Sequence, residues 1–379
     1  MRVVVLGGGY AGVVVTDRLE RSLPPDVEIV LVDEDGTHLV QHELHRVVRE
    51  PSYGDTIEVS LKDVFDRATV VEDVVEGVDR SSRTVELAAG GDLSYDVAAV
   101  CLGASTAFYD VPGLESNAVP LKRREHADRI HDAVSSLVEE GDGSVVVGGA
   151  GLAGVQVAGE IGALIGEHDA TVDLTLIEQR DDVAPRFASP FRRAIRDRLL
   201  ALDVNVLTGE AVAEASPDVV WTDAGREIPT DVLVWTGGIE GSTALDSERP
   251  LVRSDLALDD RTFVVGDAGR AIDVDGEEAT PSAQTAVGEA RVAATNIERI
   301  VARSAGDLRP RLDRYDFDPY GWVVSVGDEA VATVGGQVVT GQAARALKST
   351  VGLGYLAASG AIRESVSVLR GEFGFAAPR

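Results

Sequence analysis

Two short stretches of the chain have the residue types and spacing to hold a dinucleotide phosphate. Gly7-Gly8-Gly9-Tyr10-Ala11-Gly12 follows the run VVVL, and Gly149-Ala150-Gly151-Leu152-Ala153-Gly154 follows VVVG. Each matches G-x-G-x-x-G, whose glycines serve a tight turn, close approach of backbone to a pyrophosphate, and packing of a helix on a strand. The phosphate then lies at the positive end of the helix dipole. Each loop is followed by a second apolar run that ends in carboxylates: VEIVLVDED supplies Asp33 with Glu34 beside it, and TVDLTLIEQR supplies Glu178. A carboxylate there accepts from a ribose 2′-hydroxyl and repels the 2′-phosphate of NADP. Gln179 and Arg180 leave NADP a small opening, but Glu178 favours NAD. Two nucleotides on one chain are expected.

The elements that must position these loops follow from the pattern of the rest. The valine runs read as buried parallel strands, each feeding a helix. TVELAAGGDLSYDVAAVCLGAST is a hairpin-like stretch running into a buried strand, YDVPGL is a turn, and helical periodicity resumes at 124–139. A helix (PFRRAIRDRLLAL), short strands, and the buried strands DVLVWTGGI and DRTFVVGDAG come next, the last ending at Asp267. PSAQTAVGEARVAATNIERIVA reads as a further helix. This order predicts an α/β protein with two Rossmann-like dinucleotide-binding domains, one inserted in the other, and a small C-terminal region.

Composition narrows the class. A formal charge of −29 and a pI near 4.5 argue against nucleic acid, which demands a basic surface. Only Lys62, Lys122 and Lys348 are lysine. An acidic, lysine-poor surface resembles the proteins of salt-loving archaea, where salt screens the repulsion of dense carboxylates. Cys101 is the single cysteine, so no intramolecular disulfide and no CxxC pair exists. The apolar N-terminus passes for a signal peptide until its glycines and the fingerprint they complete are counted, and a cytoplasmic protein is expected. No apolar run is long enough to span a bilayer.

Taken together, the blocks resemble the two-dinucleotide-binding flavoproteins, and within them the type II NADH:quinone oxidoreductases, from residue 1 to about residue 350. VLVDEDGTHLVQHELHRVV, YDVAAVCLGAST, VPGLESNAVPLK, VVVGGAGLAGVQVAGE, LLALDVNVLTGEAV, VLVWTGGI, FVVGDAG and PSAQTA carry the likeness in order. The resemblance implies that residues 1–112 and 241–305 bind FAD, that 113–240 bind NADH, and that 306–379 form the C-terminal region. FAD would be held by Gly7, Gly9, Tyr10, Ala11, Gly12, Asp33, Glu34, Val75, Gly103, Ala104 and Asp267, with Ala283 and Gln284 at the quinone end of the flavin. NADH would be held by Gly149, Gly151, Leu152, Ala153, Gly154 and Glu178, with Gly237 and Gly238 leaving room for nicotinamide. The implied reaction passes a hydride from NADH to flavin and two electrons on to a quinone, with no acid, base or nucleophile triad, because the organic chemistry is the flavin's.

The departures from that family bear on the electron acceptor. Gln156 stands where the family has Glu, Gly288 where it has a second Gln, and Val40, His42, Glu43 and His45 where it has an aromatic-rich flank. Lys348 resembles a family lysine near the quinone pocket and is the expected partner of a carboxylate at 156. Gln284, Gln156 and Lys348 are therefore the candidate catalytic positions. His38, His42 and His45 have a spacing zinc accepts, but a flank of the flavin pocket is the better reading, and no metal is expected. Sulfide:quinone oxidoreductases share the motifs but need redox cysteines, which Cys101 alone cannot replace. The alternatives are a soluble NADH-dependent flavin reductase with a non-quinone acceptor, such as a small iron-sulfur protein or oxygen, and a non-catalytic nucleotide-binding flavoprotein. Residues 349–379 are only mildly apolar, so any contact with the inner face of the cell membrane would be shallow. A homodimer stays open.

Overall fold

The computed structural model describes residues 1–303, 308, 310–319 and 321–348. The tail at 349–379, on which the expectation of shallow membrane contact falls, lies outside the described residues.

The valine runs form strands buried on both faces, which suits parallel sheets covered by helices. In chain order, the first unit supplies β1 (Arg2–Leu6), α1 (Tyr10–Ser22), β2 (Glu28–Asp33), β3 (Thr69–Glu72) and β4 (Val97–Val100). The second supplies β5 (Ala118–Pro120), α2 (Arg124–Glu140), β6 (Asp142–Gly148), α3 (Leu152–Glu167), β7 (Thr171–Glu178), α4 (Ser189–Leu200), β8 (Asn205–Thr208) and β9 (Val232–Trp235). The chain then returns to the first unit with β10 (Thr262–Val264) and α5 (Ala283–Val301). The two five-stranded sheets run β10-β4-β1-β2-β3 and β5-β9-β6-β7-β8, and every pair in both is parallel. The first sheet is thus completed by a strand that follows the whole of the second. Each sheet has its own core: α5 and α1 cover the first, and α2 and α3 pack with the second.

Small antiparallel units decorate this frame. One is a meander at Val75–Asp79, Thr84–Leu87 and Asp92–Ser94, and another occupies Val212–Ala215, Val219–Thr222 and Glu227–Pro229. The C-terminal region is a third, β11 (Gly321–Val326), β12 (Glu329–Val334) and β13 (Gln337–Thr340), followed by helical residues 342–348. Its strands GWVVSV, EAVATV and QVVT are rich in valine, and it lies on α3 at close range. A Cβ on Gly159 would stand 2.6 Å from the Gly327 nitrogen and 2.8 Å from the Val326 Cα. Trp322 meets Phe187 edge-on, with ring centroids 5.1 Å apart. Among the described residues no helix is long and apolar enough to cross a membrane.

Candidate functional site

The two glycine loops have the same local geometry. Gly7 and Gly149 take φ of 96° and 93°, which only glycine adopts readily. Their amides donate to Val32 and Ile177 at 2.7 and 2.8 Å, tying each loop to its neighbouring strand. A side chain on Gly12 or Gly154 would collide with the carbonyl of Gly7 or Gly149, whereas a Cβ on Gly9 or Gly151 would meet nothing within 4 Å. The turn and packing glycines are therefore filled by the protein, and the middle glycine of each loop faces open space.

Carboxylates close both loops. The Gly8 amide donates to Asp33 Oδ2 at 2.6 Å, and the Ala150 amide to Glu178 Oε2 at 2.9 Å. Neither α1 nor α3 has a capping side chain or an acid in its first turn, so the first-turn amides keep their donors for an anion. These openings and donors fit a dinucleotide at each loop. Asp33, Gly103 (φ 69°), Ala104, Gly266 and Asp267 all lie at the carboxyl edge of the first sheet, where open α/β sheets take ligands. Val75 opens the first small meander and is 7% exposed. Ala283 and Gln284 begin α5, behind the Ser282 cap. Arg249 donates to the Asp267 carbonyl at 2.7 Å, and the Gly266 amide donates to the buried Glu289 at 2.6 Å. Burial pushes the Glu289 carboxyl up to about 8. Glu34 stands beside Asp33, but its carboxylate takes an ion pair with Arg123 at 2.6 Å, across to the second unit.

A buried polar cluster lies between the two units and the C-terminal hairpin. Tyr10, on the first loop, accepts from the His42 amide at 3.1 Å and shares a 2.6 Å hydrogen bond with His42 Nδ1. His42 Nε2 faces Glu43 at 3.5 Å, and Glu43 faces Lys348 at 3.5 Å. Burial would raise Glu43, but Lys348, His42 and Arg46 hold its carboxyl below the usual range. Lys348 donates to Ser325 at 2.8 Å and to His45 Nε2 at 3.1 Å, and Ser325 lies 2.7 Å from the same nitrogen. Gln156 Nε2 reaches both His45 and Ser325 at 3.3 Å. The backbone of His42 holds the other side of the His45 ring, and burial with Lys348 and Arg46 keeps this imidazole neutral. Glu160, one turn beyond Gln156 on α3, stands 3.8 Å from His45 Nε2.

Residues 1–290 match the pyridine nucleotide-disulphide oxidoreductase family. The chain belongs to that family. A type II NADH:quinone oxidoreductase from Staphylococcus aureus is 25% identical over 92% of this chain and 94% of its own length. The solved structure of NDH2 from Plasmodium falciparum in complex with NADH has a TM-score of 0.83 at 13% identity, covering 98% of each chain. The sulfide:quinone oxidoreductase of Aquifex aeolicus has a TM-score of 0.79 at 18% identity, covering 99% of this chain and 96% of that one. These structural likenesses show the shared Rossmann-like α/β fold. Unlike a pyridine nucleotide-disulphide oxidoreductase that works through a disulphide, this family member has one cysteine. Cys101 is buried, and burial with the nearby Glu289 raises its thiol far above the usual range.

Three details of the site were not visible in the sequence. A Cβ on Gly237 would collide with the Trp235 ring, and one on Gly238 with the Tyr109 ring. Tyr109 and Asp110 both take left-handed φ, 55° and 53°, to hold that ring over the glycine. Gly288 has a packing reason, since a Cβ there would meet the Tyr315 ring at 2.9 Å. The three histidines do not share a helical face. His38 is on the short strand Thr37–Leu39 and donates from Nδ1 to the Gly8 carbonyl at 2.9 Å, while His42 and His45 lie in the 3-10 helix Gln41–Val48. Gln156 and Lys348 do converge, through the shared partners His45 and Ser325; Gln284 is on the first turn of α5. Sequence reasoning missed Glu160, Ser325, Glu289 and Tyr109. The signal for Glu160 and Glu289 was present: each is a lone acid in a run of Ala, Gly and Val.

Proposed function

We propose that the protein is an FAD-dependent NADH dehydrogenase that delivers electrons to a quinone. The observation that carries this reading is the pair of matched loops, each clasped by its own carboxylate, in a chain alike along its length to a type II NADH:quinone oxidoreductase. The first unit takes FAD at Gly7, Gly9 and Gly12 with Asp33 on the ribose, and the second takes NADH at Gly149, Gly151 and Gly154 with Glu178. Bound FAD supplies the chemistry, accepting a hydride and passing on two electrons. The protein's own contribution is position: uncapped helix amides hold the diphosphates, and Asp33 and Glu178 receive ribose hydroxyls. The polar cluster around Lys348 serves the acceptor side. The acidic, lysine-poor surface fits a cytoplasmic, salt-adapted protein that meets the membrane only at its inner face.

Anaerobic titration with NADH, following the flavin absorbance, tests the first half of this reading. Addition of a soluble quinone analogue to the bleached protein tests the second. Bleaching followed by recovery of the yellow form is the expected result. Bleaching without recovery points to another acceptor, and no bleaching to a protein that binds nucleotides without turnover.

A further inference from the structure

The acceptor half-reaction needs one proton that the hydride does not bring: NADH, one proton and a quinone give NAD⁺ and a quinol. Position 156 cannot supply it, because an amide neither gains nor loses a proton near neutral pH. We propose that Glu160 and His45 form the proton relay to the acceptor side, taking the role that a carboxylate at 156 would have had. This inference rests on the NADH-to-quinone reading above.

A line of close polar neighbours leads from the surface to the cluster. Asp328 and Glu167, with side chains 75% and 48% exposed, both hold Arg49. Arg49 Nη1 stands 3.7 Å from Glu160 Oε2, and Glu160 Oε1 stands 3.8 Å from His45 Nε2. From His45 the path passes to Ser325 at 2.7 Å, where Lys348 and Gln156 converge. Glu160 and His45 are 5% and 3% exposed, so neither exchanges protons with bulk water except along this line. The charged and titratable groups facing the pair are His42 and Arg46 from the 3-10 helix, Arg49 just past its end, Lys348 from helical residues 342–348, and Asp328 from the β11–β12 turn.

In each turnover a small side-chain rotation closes the 3.8 Å between Glu160 Oε1 and His45 Nε2, the Glu160 O–H breaks, and its proton goes to the Nε2 lone pair, leaving a carboxylate and an imidazolium. The Ser325 hydroxyl turns from donor to acceptor, takes the Nε2 proton, and releases its own toward the acceptor's oxygen. Neutral His45 is restored, and Glu160 is re-protonated from solvent past Arg49. Lys348 beside His45 disfavours the imidazolium, so the proton does not rest there. Burial holds the Glu160 carboxyl up to about 7, against the pull of Lys348 and Arg49, so near neutral pH it exchanges readily between its protonated and charged forms.

The test uses the full chain with bound FAD. After anaerobic reduction by NADH, reoxidation by a soluble quinone analogue is followed at a series of pH values. Wild-type reoxidation should slow as pH rises through about 7. Glu160→Gln should slow reoxidation at acid pH by about a hundredfold, abolish that pH limb, and leave the NADH step much less affected. Glu160→Asp should restore the limb in part. Infrared titration of the oxidised protein, without turnover, should show a protonated carboxyl band that disappears near the same pH and is absent in Glu160→Gln. A flat wild-type profile, an unchanged limb in Glu160→Gln, or no titrating band in the wild type overturns the relay. Failure of NADH to bleach the flavin overturns the functional reading itself, and is seen before any quinone is added.

Discussion

The Ala150 amide donates to the Glu178 carboxylate across 2.9 Å, and Glu178 is only 7% exposed, so the acid at the end of β7 is fixed against its loop. Its second oxygen accepts from the Arg180 amide at 3.0 Å. A carboxylate held this way cannot swing aside to admit a 2′-phosphate. NADH should therefore exceed NADPH in kcat/KM by about ten- to a hundredfold, equivalent to about 1–3 kcal/mol. Equal kcat/KM for the two would refute the assignment of Glu178.

The middle glycines offer a cleaner dissection than the clamped ones. Gly9→Leu and Gly151→Leu place bulk into open space rather than into backbone. The first should yield protein with little FAD, read from the flavin absorbance. The second should keep its FAD but raise the KM for NADH by about tenfold or more. The opposite assignment of the loops predicts the reverse pattern.

At position 156 the amide now donates to both His45 and Ser325. Gln156→Glu would put a carboxylate beside the Lys348–Ser325 pair and return a group that can hold a proton. Stopped-flow measurement should find wild-type flavin reduced quickly and reoxidised slowly by quinone, with the substitution speeding the second step by about tenfold and the first by less. A gain confined to hydride transfer would place Gln156 on the donor side instead.

Glu289 links stability to pH. Its carboxyl is held up to about 8 in the folded state, against an ordinary value of 4.5, so between these values the native protein keeps a proton that the unfolded chain has lost. Stability present at acid pH is then lost as pH rises through that window. Glu289→Gln keeps an acceptor for the Gly266 amide and has no proton to lose. Its melting temperature should exceed that of the wild type at pH 8 by several degrees, with the gap closing toward pH 5. A constant gap would assign the effect to packing.

The formal charge of −29 makes the folded state repel itself at low ionic strength. The melting temperature should climb steeply between dilute buffer and multimolar salt, together with activity. A melting temperature indifferent to salt would set this protein apart from the salt-adapted proteins its composition resembles.

Much of the fold was legible because its signals are local and repeated. A valine run, a glycine loop and a carboxylate-ended strand recur in order, and the loop geometry follows from the glycines themselves. The second category of information, which parts meet, was not legible. Nothing in THLVQHELH says that His38 turns to the Gly8 carbonyl while His45 turns to Ser325, because those partners are fixed by tertiary packing. The short strands at 321–340 gave little warning either: paired valines with scattered Ser and Thr carry no clean two-residue period. Gly288 reads as a departure, and nothing local in the sequence reveals the Tyr315 ring that a Cβ there would meet at 2.9 Å.

The seat of the C-terminal hairpin on α3, where Gly159 meets Gly327, carries a further consequence for how such a chain can change. Both nucleotide loops and their carboxylates belong to residues 1–301, while Ser325 and Lys348 arrive on the appended strands and helix. The NADH grip therefore lies wholly within residues 1–301, whereas the acceptor-side cluster is shared, with His45, Gln156 and Glu160 from that span and Ser325 and Lys348 from the appended part. An exchange of residues 321–348 would change what faces His45 and Gln156 while both glycine loops stay as they are, so the hairpin is the detachable half of a two-part socket.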